Sequence, residues 1–445
     1  MAKNISILGA GESGTGSALL AKSKGFSVFV SDQGNISPKY KAMLTEHGID
    51  FEEGQHSEDR ILSSDFVIKS PGIPEKAPLI KKLVAKQIPV ISEIEFASKY
   101  THAKLIAITG SNGKTTTTLF TYHLLKEMGL HVGLAGNVGK SFAWQVWEED
   151  HDYYVLELSS FQLDGTYTLK PFVSILLNIT PDHLDRYDYK FENYIDSKFR
   201  IAQNADASTF LIVHEDDPVL AKEMMSRLFD TNILGISLMN SNASGAYSDG
   251  EYIYLNNGSG AQIPVDQLPL KGKHNLTNMM AGFIAASTLG LDTREFVKSA
   301  STFKNAAHRL EFVRVYKDVT YINDSKATNV DSVYYALDAM PKNVVWIAGG
   351  VDKGNDYSAI EALVKDRVKA LVCLGKDNSK LHEFFGNKVS KIVDASSMQE
   401  AISQSTTLAA SGDVVLLSPA CASFDLFNNF EDRGDQFKTL VSELK

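Results

Sequence analysis

The chain has 445 residues, room for two or three domains, and its 44% hydrophobic and 22% charged content is that of a soluble globular protein rather than a disordered or fibrous one. A net charge of −10 argues against a nucleic-acid backbone as partner. No stretch approaches the roughly 18 apolar residues of a membrane span. The two cysteines, Cys373 and Cys421, do not make a disulfide framework. With an N-terminus that enters a strand at once, they predict a cytoplasmic protein with no signal peptide.

Residues 3–32 read as a strand, the turn Gly9-Ala10-Gly11-Glu12-Ser13-Gly14, a helix, and a second strand, Ser27–Ser31, ending at Asp32. This G-x-G-x-x-G turn, with a carboxylate after the next strand, is the layout of a dinucleotide site. It suits NAD, and equally any ligand that carries a diphosphate and a ribose. A later strand, Phe66–Lys69, runs into Ser70-Pro71-Gly72-Ile73-Pro74, a loop at a strand's C-terminal end where α/β sheets place ligands. A helical stretch over Glu93–Lys99 follows, so the first domain is expected to span 1–93.

The stretch Leu105–Leu119 organises the middle of the chain. An apolar strand breaks into Thr109-Gly110-Ser111-Asn112-Gly113-Lys114-Thr115 and a threonine-rich helix start that includes Thr116. Glycines let backbone N–H groups converge on an anion, the helix N-terminus adds its positive end, and Lys114 can reach terminal phosphates. The Thr115 hydroxyl is placed for Mg²⁺. The strict phosphate-loop pattern has a glycine where Ile108 stands, so this is a shortened variant.

Beyond the loop, Tyr153–Leu158 is a strand that carries Glu157 among apolar neighbours, either as a Mg²⁺ ligand or satisfied by local N–H donors. The strand Val173–Ile179 empties into Thr180-Pro181-Asp182-His183-Leu184-Asp185. A loop histidine such as His183 is a surface residue or a ligand. Helical stretches are expected over Phe191–Asn204, which carries Lys198, and over Leu270–Leu289, which carries Asn275 and Asn278. Spacing alone reads Lys198 as a solvated lysine. A third strand–helix pattern begins near residue 305, with strands Thr320–Asn323, Val344–Ala348, Ala370–Leu374 and Val414–Leu417. The expectation is three α/β domains in series, over 1–93, 94–305 and 306–445. The first and third are Rossmann-like, and the middle one carries the phosphate loop.

The segments ITGSNGKTT, ELSSFQL, NITPDHLDRY, GKHNLTN, HRLEF, NDSKATN and SPACASFDLF occur in this order. They resemble the Mur ligase family of peptidoglycan synthesis, and within it the members that add D-glutamate to UDP-N-acetylmuramoyl-L-alanine. The GKT and HN-x-x-N elements are shared with folylpolyglutamate synthetases; NDSKATN and SPACAS are more specific, and GAGESG favours a Mur ligase. The resemblance covers essentially the whole chain. It implies a UDP-binding first domain, with Ser13, Asp32, Ser70 and Gly72 as contacts and Asn137 and His183 on the substrate side. It implies ATP binding by residues 110–116, Asn275, Asn278, Arg309, Asp324 and Lys326. Two Mg²⁺ ions would be held by Thr115, Glu157, His183 and a Lys198 that has reacted with CO₂ to form a carbamate. Lys114, His183 and Lys198 are the implied catalytic residues. Thr328, Lys353, Ser423, Phe424 and Phe430 would hold D-glutamate. Monomeric action on small molecules is expected, with no nucleic-acid or membrane partner. The competing readings are a different amide ligase of the same family, an NAD-dependent oxidoreductase and a nucleotide-binding regulator.

Overall fold

The computed structural model describes residues 3–256, 258 and 260–445. It divides into two compact units, one holding residues up to 269 with 275–303, the other 270–274 with 304–445. Among the described residues three sheets form, one for each α/β domain.

The first sheet contains β1 (Asn4–Leu8), β2 (Ser27–Asp32), β3 (Asp50–Glu53), β4 (Phe66–Lys69) and β5 (Val90–Ile91), ordered β3-β2-β1-β4-β5 and parallel throughout. The order reverses at β1, whose C-terminal end opens into the glycine turn.

The second sheet begins with β6 (Lys104–Thr109), β7 (Val132–Gly136), β8 (Tyr153–Glu157) and β9 (Val173–Leu176). It continues through β10 (Phe210–His214), β11 (Asn232–Ser237), β12 (Ala246–Ser248), β13 (Tyr252–Leu255) and β14 (Gln262–Pro264). Its order is β14-β13-β12-β11-β10-β9-β6-β8-β7. The pairs β12/β13 and β13/β14 are antiparallel, and this three-strand extension was not expected from the sequence. β6 lies between β8 and β9 and is buried from Leu105 to Thr109, as a strand covered on both faces must be.

The third sheet contains β15 (Glu311–Tyr316), β16 (Val319–Asn323), β17 (Val344–Gly349), β18 (Val368–Leu374), β19 (Ile392–Ala395) and β20 (Val414–Ala420). Its order is β15-β16-β20-β17-β18-β19, with only β15 antiparallel to its neighbour.

The first two sheets share one core. The helix Glu12–Ser23 carries Gly16 where it meets the helix Phe142–Glu148, and a Cβ on Gly16 would fall 2.9 Å from the Cβ of Trp144. The missing side chain at Gly16 lets the two helices approach closely, and Ala18 and Leu19 join one apolar cluster with Phe142 and Trp144. Local capping sets the ends of several helices. Ser159 and Gln162 form a reciprocal capping box on Ser160–Asp164, so part of the ELSSFQL segment is structural. Asp217 caps Pro218–Ser226 through the N–H groups of Val219 and Leu220.

Some elements are shorter than expected. β9 stops at Leu176 because the backbone beyond turns to the phosphate loop, Ser111 N donating to Asn178 O at 2.9 Å. The helix expected over 191–204 is Phe191–Phe199, followed by a 3₁₀ turn at Arg200–Ala202. The helix expected over 270–289 is Lys273–Thr288.

Candidate active site

The phosphate loop leaves β6 at Thr109 and enters the helix Lys114–Glu127. Gly113 has φ +82°, and a Cβ there would sit 2.5 Å from Asn278 Oδ1, so both backbone and space require glycine. The loop is pinned from one side. Asn112 N donates to Asn178 Oδ1 (2.8 Å), Asn178 Nδ2 returns to Asn112 O (3.0 Å), and Ser111 Oγ donates to Thr180 O (2.9 Å). Lys114 folds over the loop, its Nζ donating to Gly110 O (2.8 Å) and Ser111 O (2.9 Å). Thr115 and Thr116 are buried in the first helical turn. Thr117 Oγ1 donates to Asn278 Oδ1 (3.1 Å), and Asn278 Nδ2 to Asn275 Oδ1 (3.3 Å). Of the two asparagines expected at the nucleotide, Asn278 therefore meets the loop helix directly, and Asn275 is bonded to Asn278.

Glu157 ends β8 in register with Ile108 of β6 and Gly136 of β7. Gly136 (φ +98°) could carry no Cβ, which would lie 2.2 Å from Glu157 O. This close approach brings Asn137 onto Glu157 Oε1 at 2.8 Å. Glu157 is 1% exposed, and its Oε2 is buried with no hydrogen-bond partner among the described residues. A buried carboxylate oxygen left unbonded is costly, and a divalent cation is the partner suited to it.

His183 has left-handed backbone (φ +52°), its ring edge-on to Phe161 (5.1 Å between centroids) and its Nε2 3.6 Å from Asp182 Oδ2. Lys198 is not the solvated lysine that spacing suggests. It is 1% exposed, its Nζ 3.4 Å from Thr109 Oγ1 and 4.8 Å from the centre of the Tyr194 ring. Burial holds this amine well below its ordinary range. The Lys114 cation pushes the same way, against the carboxylates of Asp182, Asp164 and Glu157. Lys114, Asn137, His183, Lys198 and Gly72 line one cleft of about 350 Å³. Asp182, Arg186, Tyr194 and the Ser159–Phe161 turn also line it and were not singled out from the sequence. Tyr194 stands one helical turn before Lys198, a spacing that could have found it.

The glycine turn after β1 is closed tightly: a Cβ on Gly14 would lie 1.9 Å from Gly9 O, and one on Gly9 (φ +93°) 2.4 Å from Ser70 Oγ. Asp32 accepts from Ala10 N (2.7 Å) and Gly34 N (2.8 Å), which fixes its carboxylate beside the turn. Ser13 stands in the first turn of the helix that starts there. Asp32, Ser70 and Ser13 thus come together at the C-terminal ends of β1, β2 and β4. Glu12 points elsewhere, accepting from Ser141 N at 2.8 Å. Arg186 reaches Pro71 O at 3.2 Å, tying the Ser70–Pro74 loop to the His183 segment.

In the second unit Asp324 is buried at the end of β16, and burial pushes its carboxyl up to about 7 against the opposing pull of Arg309, Ser418 Oγ (2.8 Å) and Leu310 N (3.1 Å). Lys326 Nζ lies 5.5 Å from the Phe430 ring centre. The wholly buried Arg433 donates to Ser325 Oγ (3.0 Å), Ser325 O (2.9 Å) and Cys421 O (3.2 Å), joining the loop of Lys326 and Thr328 to that of Ser423. Phe424 is exposed and Ser423 buried. Lys353 is exposed on the loop after β17, which Asp352 shapes by accepting from Gly354 N and Asn355 N.

Three family models match the chain: the MurD N-terminal domain over residues 4–78, the Mur ligase middle domain over 108–286, and the Mur ligase glutamate ligase domain over 308–421. The chain is 54% identical to the UDP-N-acetylmuramoylalanine--D-glutamate ligase of Cytophaga hutchinsonii, over the full length of both. It is 51% identical to the ligase of the same name from Bacteroides fragilis, over 99% of this chain and 100% of that one. Among solved structures it is similar to a pseudomurein peptide ligase type C from Methanothermus fervidus (TM-score 0.64, 20% identity, 100% of both chains). It is also similar to the UDP-N-acetylmuramate-alanine ligase MurC from Thermotoga maritima (TM-score 0.61, 19% identity, 100% of both). These last two likenesses carry the fold alone. With its three domains matched in order, the chain belongs to the Mur ligase family.

Proposed function

We propose that this protein is the ATP-dependent ligase that joins D-glutamate to UDP-N-acetylmuramoyl-L-alanine in peptidoglycan precursor synthesis. The observation that carries the reading is the single cleft in which the phosphate-loop cation Lys114, Asn137, His183 and the buried Lys198 converge. The full-length identity to relatives bearing that activity's name supports the substrates. Residues 1–93 bind the UDP moiety through Ser13, Asp32, Ser70 and Gly72. Residues 94–305 bind ATP, and residues 306–445 contribute Arg309, Asp324 and Lys326 to ATP and Thr328, Lys353, Ser423, Phe424 and Phe430 to D-glutamate. The protein acts as a monomer in the cytoplasm, where ATP and UDP-linked precursors are at hand.

In the reaction, a carboxylate oxygen of the UDP-linked substrate attacks the γ-phosphorus of ATP, and ADP leaves with the bridging electrons. The amine of D-glutamate then attacks the acyl carbon, and phosphate departs as the amide forms. Two anions must meet in the first step, and Lys114 supplies positive charge where they do. Mg²⁺, when bound, neutralises phosphate charge and orients its oxygens. The residues fit it: the orphaned Glu157 Oε2, with Thr115 beside the loop, suits one ion, and His183 with Lys198 suits a second. An ammonium would repel that second ion. A buried amine held neutral can instead attack CO₂ at carbon and release a proton, becoming a carbamate whose oxygens are hard ligands.

Phosphate release with UDP-N-acetylmuramoyl-L-alanine and ATP, scanned over amino acids, tests the assignment. Turnover is expected only with the UDP-linked acceptor present and is fastest by far with D-glutamate. Equal rates with L-glutamate or L-alanine would overturn it.

A further inference from the structure

The third sheet holds a cluster of metal-ligating side chains that the ligase reaction does not use. Cys373 on β18 and Asp394 on β19 are register partners in a parallel ladder, so their side chains leave the same face of the sheet side by side. The helix Ser379–Phe385, which connects these two strands, lies on that face, since Cys373 packs in one apolar cluster with its Leu381 and Phe385. The same helix carries His382, whose Nε2 is 3.0 and 3.1 Å from the two Asp394 oxygens. One ligand atom from each of Cys373, His382 and Asp394 lies within 4.8 Å of the others. A tetrahedral ion with bonds of about 2.0–2.3 Å needs its ligands roughly 3.5 Å apart, so side-chain adjustment alone can close the cluster.

A neighbouring residue is arranged as an outer shell. Asn378 Nδ2 donates to Asp394 Oδ1 (2.9 Å) and to the Cys373 carbonyl (3.1 Å), holding the carboxylate and the strand end together. Its Oδ1 is buried with no hydrogen-bond partner among the described residues. Asn378, His382 and Asp394 line a surface cleft of about 400 Å³, shared with Asp377, Glu400 and Lys376. The thiol lies beneath and the imidazole and carboxylate face solvent, so an ion can enter from outside and keep water in its fourth position.

We infer that Cys373, His382 and Asp394 form a three-ligand site for a thiophilic divalent cation of the Zn²⁺ class. The donor set of one thiolate, one imidazole and one carboxylate selects such an ion over Mg²⁺, which takes oxygen ligands. The site is separate in chemistry from the Mg²⁺ positions proposed above, and it stands whether or not that reading holds.

Co²⁺ is the probe. It is titrated into the chelator-treated full-length protein in excess Mg²⁺, and thiolate-to-cobalt charge-transfer absorption is read in the near ultraviolet. One equivalent is expected to bind with that absorption, which Zn²⁺ then removes. Cys373→Ser and His382→Ala are expected to lose it, and Cys421→Ser to keep it. The histidine variant alters a half-exposed side chain and leaves the core thiol in place, so its loss of absorption cannot come from an unfilled core. No charge-transfer absorption in the wild type, or absorption that survives Cys373→Ser or His382→Ala, would overturn the site.

Discussion

Lys198 owes its chemistry to its surroundings, and two measurements read those surroundings separately. Lys198→Ala is expected to be nearly inactive, with acetate restoring part of the turnover by lending a carboxylate to the space; wild-type rates in the alanine variant would remove the residue from the reaction. The second readout is stability in CO₂-free buffer. The folded chain holds this amine neutral well below 10.5 while the unfolded chain keeps it protonated. The unfolded state therefore binds more protons in that window, and stability rises with pH, by up to about 1.4 kcal/mol per pH unit. Lys198→Met should lack this rise, and parallel pH profiles for the two proteins would show that the amine is charged when folded. Lys114→Ala should cost on the order of 3 kcal/mol in transition-state stabilisation, a hundredfold or greater loss of turnover, with little change in melting temperature. Near wild-type turnover would take the loop from Gly110 to Thr115 out of the reaction. Lys114 was legible because a phosphate loop is a local pattern, strand, glycines, lysine, helix. Lys198 was not: its burial comes from packing its helix over Thr109, 89 positions away in sequence, and only the family resemblance pointed to it.

The short helix Phe142–Glu148 shows how one element joins the first two sheets. Ser141 caps it by accepting from Trp144 N (3.1 Å), while two glutamates from elsewhere hold that cap. Glu12 accepts from Ser141 N, and the buried Glu93 accepts from Ser141 Oγ and from Ala143 N (3.0 Å). Burial pushes the Glu93 carboxyl up to about 7, with the Glu12 charge adding to the rise and the hydrogen bonds opposing it. Between 4.5 and about 7 the folded state keeps a proton that the unfolded state has lost, so this group's contribution to stability falls as pH rises through that range. Glu93→Gln should remove the fall. Chemical denaturation at stepped pH would show the variant gaining on the wild type across the window, and a constant difference would mean that Glu93 titrates normally. The sequence placed Glu93 near a domain boundary and Glu12 in a nucleotide turn, but their common target at Ser141 is a contact between distant segments. No periodicity in either segment encodes it. The pinning of the phosphate loop by Asn178 is hidden from the sequence for the same reason.

At the scale of the molecule, alternating apolar runs and polar loops predicted a series of parallel α/β sheets, and the strand ends carry the polar loops as expected. The antiparallel extension β12–β14 escaped because residues 240–264 are dense in Ser, Asn and Gly and read as loop. Its underside is nevertheless apolar, with Ala246, Ile253, Leu255 and Ile263 buried. This extension bears on how the protein behaves in a crowded solution. Without it the second sheet would end at β11, six residues long, presenting an open row of N–H and C=O groups to any passing strand. The last strand is instead β14, three residues long and closed by Pro264, which has no N–H to offer a newcomer. Replacing residues 245–263 with a short Gly/Ser linker should leave the phosphate loop intact but make the chain self-associate more than its parent. Light scattering over time would register this as growth of large particles. A particle size as steady as that of the parent chain would mean that the extension does not serve as a guard against edge-to-edge pairing.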